Sequence, residues 1–142
     1  MQPVRVLESC LSATDLDAAE RFYTQVIGLE KHAREDGRHV FFRCGDAMVL
    51  IFNPDQTSNV ATTVAGSPVP LHGTRGAGHL AFAVQESEIA AWREHLQRMN
   101  VAIESEVHWP QGGTSLYVRD PAGNSIELAT PRIWALQIAD ST

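Results

Sequence analysis

The sequence is short of basic residues. Eleven lysines and arginines stand against 17 aspartates and glutamates, and the formal net charge is −6. Nucleic-acid binding needs a concentrated basic surface to meet the phosphates, and anionic membranes attract polybasic segments. This acidic balance therefore argues against both kinds of partner.

Long apolar runs and cysteine clusters are also missing. No run approaches the roughly 20 apolar residues that a membrane-spanning helix needs. The first ten residues, MQPVRVLESC, lack the apolar core of a secretory signal. Cys10 and Cys44 form no CxxC pair, which is typical of a reducing compartment rather than of a disulfide framework. We therefore expect a cytoplasmic protein.

What is present is an ordinary globular composition. The chain has 142 residues, of which 44% are hydrophobic and 20% are charged. This length fits one domain, or two small repeats that share a core.

Two halves of the chain show the same order of predicted elements. The first half is predicted as a strand, a helix that begins after Asp15 and stops at Gly28, and three strands. The second half repeats this order, with a helix that begins after Ser87 and ends at Asn100. The segment DPAGN is predicted as a tight turn between its last two strands. The sequence thus predicts an α+β fold of two βαβββ modules.

The predicted boundaries follow from these patterns. We expect one domain over residues 1–142, with the first module at about 4–54 and the second at about 77–131. Residues 55–76 between them are rich in Ser, Thr, Gly and Pro, which is typical of a linker or a mobile loop. We expect residues 132–142 to be a C-terminal tail, of which residues 137–142 lie outside the residues that the structure describes.

The repeat relates four strand positions. Counting back from the start of each helix pairs Glu8 with His79, and counting back from the proline after each last strand pairs Leu50 with Glu127. Strand alternation places these positions on the face opposite the helices. The repeat therefore predicts that they line the concave faces of the two sheets.

Three of these positions carry side chains that bind metal ions. A carboxylate in the middle of a strand is costly to bury without a cation or a donor, which applies to Glu8 and Glu127. With His79 they could hold a divalent ion and leave positions open for substrate and water. The alternative is a hydrogen-bonded core histidine and two salt-bridged glutamates, with Arg43 and Arg119 as partners.

Further candidate binding residues lie on or near the same faces. They are Tyr117, Arg119, Phe41, Phe52, Met48, Trp109 and His39. Tyr117 and Arg119 could orient an anionic or oxygen-rich substrate, or Arg119 could pair with Asp120 or Glu127 for structure alone. Trp109 precedes PQGG, which could cover a pocket as a flexible stretch, or it could pack against the neighbouring strand.

Three segments resemble the vicinal oxygen chelate superfamily. They are ATDLDAAERFYTQVIGLE, GAGHLAFAV and YVRDPAGNSIEL, and the resemblance spans residues 4–131. This superfamily includes glyoxalase I, fosfomycin-resistance proteins, bleomycin-binding proteins and extradiol dioxygenases. Its fold is two βαβββ modules whose curved mixed sheets enclose a metal-centred cavity. The resemblance implies metal ligands at Glu8, His79 and Glu127, with Leu50 at the fourth position.

The sequence departs from the superfamily pattern at two positions. Leu50 stands where glyoxalase I has a carboxylate, and Glu8 stands where extradiol dioxygenases and fosfomycin-resistance proteins usually carry histidine. One nitrogen and two carboxylates make a harder site than two histidines and one carboxylate. This set favours Mn²⁺, Mg²⁺, Ni²⁺ or Zn²⁺, without excluding Fe²⁺.

The resemblance implies a metal-dependent enzyme that acts on a small oxygen-bearing substrate. The ion would act as a Lewis acid, with Glu127 or Glu8 as the proton base and Tyr117 beside it. The reaction could be that of a glyoxalase-like lyase or isomerase, an antibiotic-resistance transferase or an extradiol dioxygenase. A protein that binds an antibiotic without chemistry is the remaining alternative. We also expect a homodimer whose metal sites are shared between chains.

Overall fold

The computed structural model describes residues 1–136, which divide into two compact units. The first unit is Met1–Gly78 with Pro121–Gly123. The second is His79–Asp120 with the described residues from Asn124 onward. Each unit contains one four-stranded sheet and a helix.

The first unit has the predicted order of strand, helix and three strands. Its elements are β1 (Glu8–Ser12), α1 (Leu16–Arg21), β2 (Glu30–Glu35), β3 (His39–Cys44) and β4 (Ala47–Phe52). The sheet order is β1-β4-β3-β2, in which β1 runs parallel to β4 and the other pairs are antiparallel. This places β1 and β4, which carry Glu8 and Leu50, side by side.

The helical stretch that starts with α1 begins after the predicted Asp15 and stops before the predicted Gly28. The Asp15 carboxylate accepts a hydrogen bond from the Ala18 amide at 2.9 Å, which satisfies one of the amides left free at a helix N-terminus. The last turns of the helix predicted from the sequence form a π-helical segment, Phe22–Val26. Gly28 follows with φ +85°, the left-handed conformation that glycine adopts at little cost. Buried side chains on this helical stretch, among them Leu16 and Tyr23, form part of the unit's core.

The segment predicted as a linker carries regular structure. It contains α2 (Pro54–Thr57) and a hairpin of β5 (Thr62–Val64) and β6 (Ser67–Val69). Positive φ angles at Ala65 and Gly66 supply the two-residue turn. These elements are only three or four residues long, so they leave no periodicity in the sequence, and for that reason the linker prediction differs from the structure.

The second unit repeats the architecture of the first. Its elements are β7 (His79–Ala83), α3 (Ile89–Arg98), β8 (Ser105–His108), β9 (Thr114–Arg119) and β10 (Ser125–Ala129). The sheet order is β7-β10-β9-β8, with β7 parallel to β10. Single 3₁₀ turns, Glu86–Glu88 and Pro131–Trp134, precede α3 and follow β10.

The second helical stretch starts two residues earlier than predicted. Gln85, not Ser87, is its N-terminal cap, and Gln85 and Glu88 bond each other's amides as a capping box. The stretch ends as predicted at Asn100, which has φ +57°. The buried residues Ile89 and Leu96 hold α3 on the sheet.

Both units share one connectivity, and this confirms the predicted α+β fold of two βαβββ modules. The enclosed cavity concerns how the modules face each other, and it stays a prediction. Within residues 1–136 no helix has the length and apolar character that crossing a membrane requires.

Candidate metal site

Two of the three predicted ligands meet on the second sheet. β7 and β10 are parallel neighbours, and their register sets His79 opposite Ser125 and Ala81 opposite Glu127. Alternation then directs the side chains of His79 and Glu127 to the same face. The His79 Nε2 atom lies 3.2 Å from the Glu127 Oε2 atom.

Of the two side chains, Glu127 is buried in the unit and His79 lies at its surface. The Glu127 side chain is 7% exposed, whereas the His79 side chain is 54% exposed. The second carboxylate oxygen of Glu127, Oε1, is buried without a hydrogen-bond partner. An unpartnered buried carboxylate oxygen is costly, so this atom requires a proton or a cation.

The backbone of β10 fixes the orientation of the imidazole. The His79 Nδ1 atom lies 3.1 Å from the Ser125 carbonyl oxygen, which can only accept a hydrogen bond. Nδ1 therefore carries the hydrogen, and in the neutral ring the Nε2 lone pair faces the Glu127 carboxylate. Two acceptors 3.2 Å apart need a proton or a cation between them. A divalent ion satisfies both atoms, and this nitrogen and carboxylate set fits one.

Tyr117 completes the constellation on this face. It is the cross-strand partner of Glu127, and its ring stacks on the His79 ring at 6.3 Å and 22°. Burial, and then a hydrogen bond to the Glu127 carboxylate, raise the pKa of Tyr117 above its ordinary value. The phenol therefore stays protonated at neutral pH and acts as a donor.

The third predicted ligand lies in the first unit. Glu8 is exposed at the start of β1, so the expectation of a buried strand carboxylate is wrong for this residue. Burial, and then the charge of Glu8, raise the pKa of the nearby Cys10 thiol, which therefore stays protonated. Among the residues described within either unit, no three His, Cys, Asp or Glu side chains gather as a metal site. The three-ligand set therefore stays a prediction.

Aromatic rings cover part of the corresponding face of the first unit. His39 stacks on Phe41 at 4.0 Å and 10°, and Phe52 meets Phe41 edge-on at 5.3 Å. His72, from the segment after β6, meets Phe52 edge-on at 4.5 Å. We call these four residues the aromatic cluster. Burial lowers the pKa of His39, so its ring is neutral at pH 7.

Two further predicted residues lie beside the cluster on the same strands. Leu50 pairs across the sheet with Phe41 and is 6% exposed, and Met48 is half-buried two residues earlier. The first unit therefore offers an apolar, aromatic face around Leu50, the position that the repeat pairs with Glu127. The sequence did not predict His72 as a member, because it lies in the segment taken for a linker.

One partner of Arg119 is a carboxylate that the sequence did not suggest. Its Nε and Nη2 atoms bind Glu104 at 2.6 and 3.0 Å. The Asp120 carboxylate accepts from the backbone and side-chain amides of Asn124, both at 2.8 Å, within the DPAGN turn. In the structure Arg119 thus ties β9 to the segment before β8.

Trp109 is held by the strand beside it. Its indole Nε1 donates to the Ser115 hydroxyl oxygen at 2.9 Å. The glycines of the predicted flexible cover lie against the last 3₁₀ turn: a Cβ on Gly112 would stand 2.6 Å from Arg132, and one on Gly113 would stand 2.7 Å from Ile133. The PQGG segment is therefore a closely seated turn.

Comparisons with known proteins agree with this architecture. The family model of the Glyoxalase/Bleomycin resistance protein/Dioxygenase superfamily matches residues 5–128. A search of curated proteins found no match. A crystal structure of lactoylglutathione lyase from Agrobacterium tumefaciens is 38% identical with a TM-score of 0.88, and the match covers 96% of this chain and all of that one.

More distant solved structures show the same fold. A glyoxalase/bleomycin resistance protein/dioxygenase from Nocardioides is 20% identical with a TM-score of 0.70, over 92% of this chain and 85% of that chain. The fosfomycin resistance protein FosX from Mesorhizobium loti is 19% identical with a TM-score of 0.61, over 92% and 93%. With its duplicated modules and a family model that spans most of its length, this chain belongs to the Glyoxalase/Bleomycin resistance protein/Dioxygenase superfamily.

Proposed function

We propose that the protein is a divalent-metal-dependent lyase that acts on a small substrate with adjacent oxygen atoms. The observation that carries this proposal is the pair of acceptors at the second sheet, His79 Nε2 and Glu127 Oε2, held 3.2 Å apart. The Ser125 carbonyl oxygen lies next to the other ring nitrogen, His79 Nδ1, and fixes the orientation of the ring. Carbonyl oxygens commonly hold metal-binding histidines in this way.

His79 and Glu127 would hold the ion, with Glu8 as the third ligand from β1 of the same chain or of a partner. The bound ion would supply Lewis-acid polarisation of the substrate oxygens and stabilise developing negative charge. Two carboxylates and one imidazole favour Mn²⁺, Mg²⁺, Ni²⁺ or Zn²⁺.

The protein side chains would bind the substrate and move the proton. Glu127 Oε1, which has no hydrogen-bond donor on it, is the proposed proton acceptor. The Tyr117 phenol, protonated and next to Glu127, would orient that carboxylate. The aromatic cluster, with Met48, would contact the apolar part of the substrate.

The 38% identical relative is a lactoylglutathione lyase, and this supports a thiol adduct of a small dicarbonyl compound as the first substrate class. Leu50, buried at the position of the fourth ligand, favours a second candidate. A site with three ligands suits an addition reaction, such as that of antibiotic-resistance transferases, which needs only the Lewis acid and a positioned nucleophile.

We also propose that the functional form is a homodimer in the cytoplasm. β1 and β7 lie at edges of their sheets, and the apolar side chains of Val6 and Leu7 before β1 are 70% and 63% exposed. Association of two chains would cover such edges and apolar side chains.

The test is a panel of thiol adducts, catechols and fosfomycin, each assayed with chelator-treated protein and one added metal at a time. We expect metal-dependent turnover of a thiol adduct. In His79→Ala this turnover should fall more than about 100-fold, a larger loss than is typical when a residue that only hydrogen-bonds a metal ligand is replaced. His32→Ala, at an exposed histidine on β2, is the matched control and should keep full activity. Turnover that persists without metal would contradict the proposal.

A further inference from the structure

An apolar cavity lies in the second unit. Its volume is about 410 Å³, which is within the range of small-molecule sites. None of the described residues that line it carries a charge. Small and apolar side chains form most of its surface, among them Ala81, Ala83, Ala129, Ile133, Trp134 and Leu136. All of these residues belong to the second unit, as His79 and Glu127 do.

The floor of the cavity shares a sheet face with the candidate metal site. Ala81 is the register partner of Glu127, and Ala83 is the register partner of Ala129. Because side chains alternate along a strand, these three alanines lie on the face that carries His79 and Glu127. A ligand whose oxygen atoms face the pair would therefore meet the alanine floor with the group attached next to those oxygens.

The wall of the cavity is the 3₁₀ turn after β10, which has its own hydrogen bonds. The Ile133 amide donates to the Thr130 carbonyl at 3.1 Å, and the Leu136 amide donates to the Pro131 carbonyl at 3.1 Å. Although Trp134 and Leu136 line the cavity, they are 75% and 63% exposed. Covering such apolar surface is favourable, so an apolar group that enters the cavity gains free energy.

The size and the lining of the cavity indicate what it can hold. A methyl group takes up about as much space as one water molecule, about 30 Å³, and would leave most of the cavity empty. A charged group would lose its hydration there without meeting a charged partner among the described lining residues, which is costly. The cavity therefore suits a large, uncharged, apolar group such as an aromatic ring.

We propose that this cavity binds an aryl substituent on the carbon next to the oxygen atoms of the substrate. This inference rests on the proposed function, and it narrows the substrate class to compounds with adjacent oxygen atoms and an aromatic ring beside them. It adds a second apolar surface to the substrate contact proposed for the aromatic cluster of the first unit.

Binding without turnover tests the cavity directly. Phenylglyoxylate and pyruvate are both 2-oxo acids with oxygen atoms on adjacent carbons, and they differ only in a phenyl or a methyl group. We expect Zn²⁺-loaded protein to bind phenylglyoxylate at least about tenfold more tightly than pyruvate in calorimetric titrations, since apolar pockets discriminate by this much for even one methylene.

Fluorescence locates the bound ring. The protein has three tryptophans, so Trp92→Phe combined with Trp109→Phe leaves Trp134 as the emitter. In this background phenylglyoxylate should change the emission of Trp134, and pyruvate at equal occupancy should change it much less. Trp134 emission that does not respond to bound phenylglyoxylate would show that the ring lies elsewhere.

A variant that fills the cavity gives the sharpest comparison. Ala83→Leu adds three carbons at an exposed floor position, so the preference for phenylglyoxylate over pyruvate should fall at least about tenfold. Ala91→Leu makes the same change at an exposed alanine of α3 outside the cavity, and it should keep the preference of the wild type. If Ala83→Leu does not fold, Trp134→Ala, which removes part of the wall, should lower the preference in its place.

The outcomes separate the two proposals. Metal-dependent turnover of a thiol adduct, with equal affinity for the two 2-oxo acids, would overturn the cavity proposal and leave the proposed function intact. A phenyl preference that Ala83→Leu removes, without turnover of any adduct, would support the cavity and contradict the lyase. A wild type that binds neither acid would overturn the cavity proposal. An Ala83→Leu protein that keeps the preference but sediments as a monomer, where the wild type is a dimer, would also overturn it, because the cavity is then an interface between copies.

Discussion

Leu50 occupies the strand position at which superfamily resemblance would place a fourth metal ligand. It is 6% exposed and pairs across the sheet with Phe41. A carboxylate at this place would be buried against aromatic carbon and would have to be neutralised by a cation. In the proposed metal site, Leu50 therefore leaves three ligands where a carboxylate at the same position would make four.

Replacing Leu50 by glutamate should tighten divalent-metal binding. We expect a gain of roughly tenfold in Zn²⁺ affinity, or about 1.4 kcal/mol, from one added carboxylate ligand. The metal-free variant should be less stable than the wild type, since the new charge then lacks a partner. Dye competition measures the affinity, and Leu50→Gln, of similar size without charge, is the control. A folded Leu50→Glu protein with equal or weaker affinity would show that the repeat register is wrong.

Single residues also show how much of the candidate site could be predicted from the sequence. The repeat predicted that His79 and Glu127 share a face, and the structure brings them to 3.2 Å. It also suggested burial for Glu8, which is exposed because β1 begins at this residue.

At the scale of elements, the longer helices and strands were predicted from the sequence more accurately than the short ones. Strands with a clear alternation, such as β9 and β10, were predicted correctly, and their apolar residues Leu116 and Ile126 are fully buried. The β5–β6 hairpin and α2 were missed because elements of three or four residues have no period. The turn after Trp109 was predicted to be flexible because it contains two glycines. A glycine in the sequence does not show which side chains pack against its backbone, which here are Arg132 and Ile133.

That turn provides a stability test. Gly113→Ala should destabilise the protein by about 2–4 kcal/mol, from left-handed backbone strain plus overpacking. Gly113 has φ +97°, and its added Cβ would lie 2.7 Å from Ile133 and Thr130. Urea denaturation measures the change. Gly37→Ala has a similar positive φ and nothing within 4 Å, so it should cost only the strain, about 1 kcal/mol. Equal losses in the two variants would show that the turn is not closely seated.

At the scale of the whole molecule, the proposed third ligand, Glu8, can come from the same chain as the His79–Glu127 pair or from a second copy. Glu8 lies in one unit, and the pair lies in the other. One chain can supply all three ligands, or two chains can exchange them. The homodimer proposal takes the second arrangement, and mixed dimers distinguish the two.

Co-expressed Glu8→Ala and Glu127→Ala chains should regain metal if sites are shared. One of the two sites in a mixed dimer then draws Glu8 from one chain and Glu127 from the other, while the second site lacks both. We therefore expect about half the wild-type metal content in the isolated mixed dimer, and none in either single-variant dimer. A folded mixed dimer without metal would show that each site is built within one chain.

The measurement that tests the central claim most directly is elemental analysis of the purified protein after incubation with Zn²⁺ or Mn²⁺ and removal of free ions. The claim is that His79 and Glu127, oriented by the Ser125 carbonyl, hold a divalent cation. The account predicts about one ion per chain in the wild type and in His32→Ala, and a near-complete loss in His79→Ala. A folded wild type that retains no ion, or a His79→Ala protein that retains it fully, would contradict the account.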